Sequence, residues 1–265
     1  MVKTKLALAS IALALAAPAQ PSGEFDCYIQ SAEARMGARK AFLLVDTDPA
    51  QMQAVTRDQK IVLVPGNGPS PHKVKGGMIY DWIGTVFIPG ATVERVVRML
   101  QDYDHRTQNF PDVIVASRLL CRSGDNRFGF RMRLKEPSLI DFESDVTWER
   151  VDAHRWLYRS YSTKVQEVGK PHGYLLRLNS YWRFAENERG TFVEAETINL
   201  SGEFGSMMRA LGSLAGLSPE KSLRKALEST RTSVQKPGAE FALPPAGMPS
   251  CGEPIPPAAC TRPEK

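Results

Sequence analysis

Between Lys60 and Ser201 apolar and polar residues alternate with a period of two, and after Ser218 the period lengthens to that of a helix. The clearest alternation sets Phe128, Phe130, Met132 and Leu134 against Gly129, Arg131, Arg133 and Lys135, which predicts a half-buried strand. Strands are also predicted at Gln59 to Val64, Met78 to Ile88, Val113 to Leu120, Phe142 to Val151, Arg155 to Val168, Tyr174 to Ala185 and Thr191 to Ser201. Polar turns at Gly124-Asp125-Asn126, Asp152-Ala153 and Glu186 to Gly190 separate them. Thr92 is placed to cap a helix carrying Val93, Val96, Val97, Met99 and Leu100. The final helix has a written start: Ser218 as N-cap, Pro219 in the first turn and Glu220 at the positive end of the dipole. Leu223, Leu227 and Val234 then share one face that must be covered. A late helix after a run of antiparallel strands predicts an α+β fold in which a curved sheet wraps that helix, and function is sought in the gap between them.

The ends of the chain differ from this middle. Met1 to Ala19 has a charged start at Lys3 and Lys5, an apolar run from Leu6 to Ala17 and an Ala-Pro-Ala cleavage site, so it reads as a signal peptide. The run is too short for a membrane anchor, and no later stretch is long and apolar enough to span a bilayer. An exported, periplasmic or extracellular protein is therefore expected. Residues 20–75 read as an N-terminal extension, with a helix near 24–45 broken by Thr47-Asp48-Pro49, the short strand, and a loop from Pro65 to Gly77. Residues 76–235 form the main domain, and 236–265 a Pro-rich tail expected to be extended or disordered.

A net charge of +5 with scattered basic residues excludes a nucleic-acid partner and leaves at most transient contact with an anionic membrane surface. The four cysteines, Cys27, Cys121, Cys251 and Cys260, are too widely and irregularly spaced for zinc, and export permits disulfides. Three connectivities exist, and free thiols are the alternative to all of them. A clip from Cys251 to Cys260 within the tail is the simplest pair, which leaves Cys27 for Cys121.

Ile88-Pro89, Asp102-Tyr103 and Phe110-Pro111 with Val113 stand in an order that resembles the opening of START-like domains, in the polyketide-cyclase and Bet v 1-like group. Residues 76–92, 159–168 and 172–184 resemble more narrowly an exported bacterial subgroup of that superfamily whose function is unknown. The resemblance covers residues 76–235. It implies a helix-grip fold, a curved antiparallel sheet around a long C-terminal helix, and a cavity that holds a lipid, sterol, polyketide or other apolar molecule.

Strand alternation predicts the side chains that face this cavity: Trp82, Phe130, Met132, Tyr158, Ser160, Tyr174, Leu176, Leu178 and Trp182. Met207, Met208, Leu211 and Leu214 join them from a glycine-rich segment whose composition suggests a movable lid. The competing reading is a dry core of the same residues. On the opposite faces Asp141, Glu143, Asp145, Glu149, Arg155, Arg159, Arg177, Arg183, Glu194 and Glu196 are expected to form cross-strand pairs on a wet surface.

Catalytic motifs for acyl transfer or nucleotide binding are missing, and His72, His105, His154 and His172 lack metal-ligand spacing. Neither metal nor cofactor is implied. Asp102, Tyr103, Asp104 and His105 form the one polar cluster suited to proton transfer, although capping and loop hydrogen bonding explain it better at a position just after a helix. The expected function is an exported carrier or binder of an apolar small molecule. The alternatives are a cyclase- or hydrolase-like enzyme using the same cavity, and a protein-interaction module.

Overall fold

The alternating segments fold as predicted, and their pairing places the last helix. The computed structural model describes residues 22–135, 138–169, 173–202, 218–254 and 260. Its strands are β1 (Val62–Pro65), β2 (His72–Val74), β3 (Gly77–Pro89), β4 (Ile114–Ser123), β5 (Arg127–Leu134), β6 (Ile140–Arg150), β7 (Arg155–Glu167), β8 (Leu175–Asn187) and β9 (Gly190–Gly202). They form one nine-stranded sheet in the order β1-β3-β9-β8-β7-β6-β5-β4, with β2 also paired to β3. Every pairing is antiparallel, and β3 lies beside β9 over its whole length.

The helices are α1 (Ser22–Ala38), α2 (Pro49–Thr56), α3 (Val93–Gln101), α4 (Arg106–Asn109) and α5 (Pro219–Gln235). The Thr92 hydroxyl accepts from the Arg95 amide at 3.3 Å, and Ser218 caps α5 through the Lys221 amide at 3.2 Å. Leu223, Leu227 and Val234 are buried on the α5 stripe. Gly84 of β3 admits this helix, because a Cβ there would stand 2.6 Å from the Leu227 side chain. The architecture is a helix-grip α+β fold, with a large curved sheet against a long C-terminal helix.

The N-terminal extension departs from its prediction. The broken helix ends at Ala38, and the Thr47-Asp48-Pro49 break starts α2. There the Asp48 carboxylate accepts from the Ala50 and Gln51 amides, and Pro49 takes the first turn. The loop from Pro65 to Gly77 contains β2. Through β1 and β2 the extension joins the main sheet, as a segment without a core of its own must.

Both expected disulfides are replaced. Cys27 pairs with Cys260, and Cys121 with Cys251. Cys121 stands on β4 at one edge of the sheet, while Cys27 sits on α1, which packs on β3, β8 and β9 through Phe25, Ile29 and Ala32. That separation prevents Cys27 from meeting Cys121. Gly129 on β5 leaves the room that the Cys121–Cys251 sulfurs occupy. The tail holds no helix or strand among its described residues, but it is docked rather than free. The Arg122 amide donates to the Pro249 carbonyl at 2.9 Å, and Phe241 and Met248 pack against the main core.

Glu194 and Glu196 are a further correction. They lie on the outer sheet face as predicted, but at 4% and 5% exposure they are buried, not wet. Arg35 of α1 pairs with Glu196, and the segment after α1 holds Glu194, through Arg39 and the Leu44 amide. Arg177 likewise meets Asp26 of α1 at 3.4 Å. The wet ladder exists farther along the sheet, where Arg131–Glu143 and Arg133–Asp141 cross from β5 to β6, with the largely covered Arg127–Asp145 pair beside them.

Candidate functional site

The inner face of the sheet and α5 enclose a cavity of about 190 Å³. This exceeds the ~150 Å³ of an apolar cavity that accepts benzene. Its apolar walls come from β5 and β6 (Phe130, Met132, Leu134, Ile140, Phe142), from the α3–β4 region (Leu100, Phe110, Val113, Ile114) and from Leu223 and Ala226 of α5. Strands β5, β6, β7 and β9 contribute alternate side chains, so the pleat that buries the core also builds the wall.

A polar row crosses the floor. Ser160 of β7 stands opposite Ser180 of β8, and Ser180 opposite Thr197 of β9, so three hydroxyl-bearing residues lie in register and line the cavity. Asn199 lines it two residues beyond Thr197, and its buried Oδ1 has no hydrogen-bond partner. Tyr158 lies beside Ser160, its ring 4.9 Å from that of Trp148 and 6.2 Å from that of Trp182. Burial raises its phenol pKa, opposed by the Arg106 charge and by hydrogen bonding to Ser160.

Of the residues predicted from alternation, Phe130, Met132, Tyr158, Ser160, Tyr174, Leu178 and Trp182 line the cavity. Trp82 does not; it packs against the main core cluster from β3. Leu176 is on the wrong face, packed in the cluster beneath α1. A register shift between Leu175 and Arg177 against β9 inserts one residue, so Leu175 takes the inward position and the strict period of two fails there. Met207, Met208, Leu211 and Leu214 lie outside the described residues.

The polar cluster after α3 is not in the cavity wall. Tyr103 is buried, its hydroxyl accepts from the Trp148 indole at 3.0 Å, and its ring stacks on Phe130. Burial raises its pKa far above the usual phenol value, so the hydroxyl stays protonated. Asp104 accepts from the Leu119 amide at 2.8 Å. His105 bonds Asp102 at 2.7 Å and is half exposed, while the other Asp102 oxygen accepts from the Ala242 amide of the tail. These contacts fasten the α3–β4 turn and the tail to the domain.

The charged group that does line the cavity stands one residue beyond that cluster. Arg106 lines it at 6% exposure. One guanidinium nitrogen donates to the Leu100 carbonyl at 2.6 Å, and the group lies 4.6 Å from the Tyr103 ring and 5.0 Å from the Phe130 ring. Helix α4 is a single turn, too short for any periodicity to mark which of its residues faces inward. Among the described residues no cluster of side chains suited to a metal ion is found, and no helix is long and apolar enough to cross a membrane.

No family model and no curated protein matches the chain. Among solved structures it is similar to a STAR-related lipid transfer protein from Xanthomonas axonopodis, at 18% identity and a TM-score of 0.47, over 64% of this chain and 100% of that one. It is also similar to the Zhui aromatase/cyclase from Streptomyces sp. R1128, at 13% identity and a TM-score of 0.46, over 59% of this chain and 94% of that one. Human STARD10 aligns at 12% identity and a TM-score of 0.40, over 71% of this chain and 80% of that one. At this level of likeness the ligands and reactions in these names belong to those proteins.

Proposed function

We propose that the protein binds a small apolar molecule non-covalently in the cavity between the sheet and α5. The observation that carries this reading is the cavity itself: about 190 Å³ walled by aromatic and aliphatic side chains and floored by a short polar row. Apolar walls with few, convergent polar groups are the usual make-up of a small-molecule site. Binding would be driven by removal of apolar ligand surface from water, at ~25 cal/mol per Å². The hydroxyls of Ser160, Ser180 and Thr197 would orient a polar end.

The proposal extends to export. Met1 to Ala19 has the composition of a signal peptide, and the Cys27–Cys260 and Cys121–Cys251 disulfides suit an oxidising compartment. The first test is native mass spectrometry of protein purified from periplasm without detergent, followed by solvent extraction. A stoichiometric apolar compound is expected, and Ala226→Trp, which fills the cavity from α5, should lose it while staying folded. Protein that emerges empty and also takes up none of a panel of fluorescent apolar probes would overturn the reading.

A further inference from the structure

Arg106 is a buried cation in a cavity whose other walls are mainly apolar. A guanidinium carries five N–H donors and keeps its charge at any relevant pH. Here one nitrogen has a good acceptor, the Leu100 carbonyl. Nη1 meets the Met132 thioether sulfur at 3.8 Å, the Tyr158 phenol is a neutral hydrogen-bond neighbour of the group, and the buried Nε has no partner. The rings of Tyr103 and Phe130 offer their faces, which balance part of the charge and accept no strong hydrogen bond.

No carboxylate among the described residues pairs with Arg106. Under the N-terminal extension Arg35 and Arg39 each meet a glutamate, while Arg183 donates to the Met36 and Phe42 carbonyls. A bland role exists, since the Leu100 carbonyl belongs to the last turn of α3 and a cation suits that end of a helix. It accounts for one donor and leaves the cavity-side charge with neutral neighbours alone among the described residues.

We propose that the ligand is an apolar monocarboxylate whose oxygens pair with Arg106 while its body lies along Phe130, Phe142, Ile140 and Ile114. Carboxylate geometry matches the planar fork of a guanidinium, and pairing two charges away from water satisfies donors that the protein leaves open. One cation balances one negative charge. A phosphate monoester would bring a second charge into an apolar wall without a partner. Asn199, with its open Oδ1, is placed on the floor to accept from a hydroxyl or amide on the same ligand.

The inference rests on the cavity-binding reading, and matched probes separate the two. Straight-chain acids from octanoate to hexadecanoate and 2-naphthoate would be titrated into the whole protein at pH 7.5, each beside its alcohol, with fluorescence of the cavity-lining Trp182 as readout. For a charge-assisted pair the best acid should bind about tenfold or more tighter than its alcohol. Arg106→Gln should abolish that preference and leave the alcohol's affinity within about twofold, and Arg106→Lys should keep part of it. Equal affinity of acid and alcohol in the unaltered protein would overturn the inference while leaving the cavity as a binding site, and needs no variant that might misfold. A preference that survives in folded Arg106→Gln would overturn it too. If neither acids nor alcohols bind, the cavity-binding reading falls and this inference with it.

Discussion

Strand β9 shows two ways of burying polar groups in one sheet. Its outward residues Glu194 and Glu196 lie under the N-terminal extension, and each carboxylate has an arginine brought by it. Its inward residues Thr197 and Asn199 face the cavity, where the buried cation Arg106 has no carboxylate partner among the described residues. On the outer face the chain's own arginines meet the carboxylates, with Arg35 serving both Glu196 and Asp81. On the inner face the proposed carboxylate ligand would supply the partner that Arg106 lacks. That difference, more than apolar content, separates a sealed layer from a binding site.

Truncating one aromatic on each side tests the contrast most strongly. Phe25, fully buried between α1 and the sheet, should cost about 3–5 kcal/mol of unfolding free energy as Phe25→Ala. Phe142→Ala on the cavity wall should cost less, about 2 kcal/mol, because its ring already borders open space and loses fewer contacts. Urea denaturation of the two variants gives the comparison, and equal losses would mean that the inner face is packed as densely as the outer.

Next in size is a pH effect confined to the sealed side. Burial, followed by the neighbouring Asp81 charge, raises the Glu196 pKa to about 7, with Arg35 opposing. Burial also raises Asp81, Glu194 and Asp26. A carboxyl whose folded pKa is raised binds protons better folded than unfolded, so its contribution is complete below the unfolded value and is lost as pH rises through the folded one. Stability should therefore fall by roughly 2–3 kcal/mol between pH 5 and pH 8, and Glu196→Gln should flatten most of that slope. Thermal unfolding across this range reads it directly. A rise in stability with pH would contradict the raised values.

The smallest effect is expected on the wet half of the outer face. Arg131 pairs with Glu143 across β5 and β6 in the open, and Arg131→Ala should change stability by less than about 0.5 kcal/mol. A larger loss would show that this ladder is as tightly held as the pairs under α1.

Much of this was legible in the sequence. In β6 the pattern Ile140, Phe142, Ser144, Val146, Trp148 against Asp141, Glu143, Asp145 marks one dry and one wet face, and the structure agrees. The cover over β9 was also written, since Phe192, Ile198 and Leu200 are apolar on the face opposite Val193 and Ala195. A strand apolar on both faces needs a layer on each side. That signal was overlooked because Glu194 and Glu196 read as solvent residues. Three things were not legible: the extra residue at Leu176, which reverses the pleat; the disulfide pairing, which depends on where α1 and β4 end up; and Arg106, which sits in one turn of helix.

The Cys27–Cys260 bond spans 233 residues, and the Cys121–Cys251 loop of 130 lies wholly inside it. In covalent terms the described chain is a ring with a chord, although its backbone is linear. A protease that cuts once anywhere between Cys27 and Cys260 opens the ring without releasing a fragment. Between Cys121 and Cys251 a single cut falls inside both loops, so the severed ends stay tethered to sheet and tail together. The α1 layer and the β-sheet therefore survive a nick as one molecule, and only a reductant converts a broken loop into separate pieces.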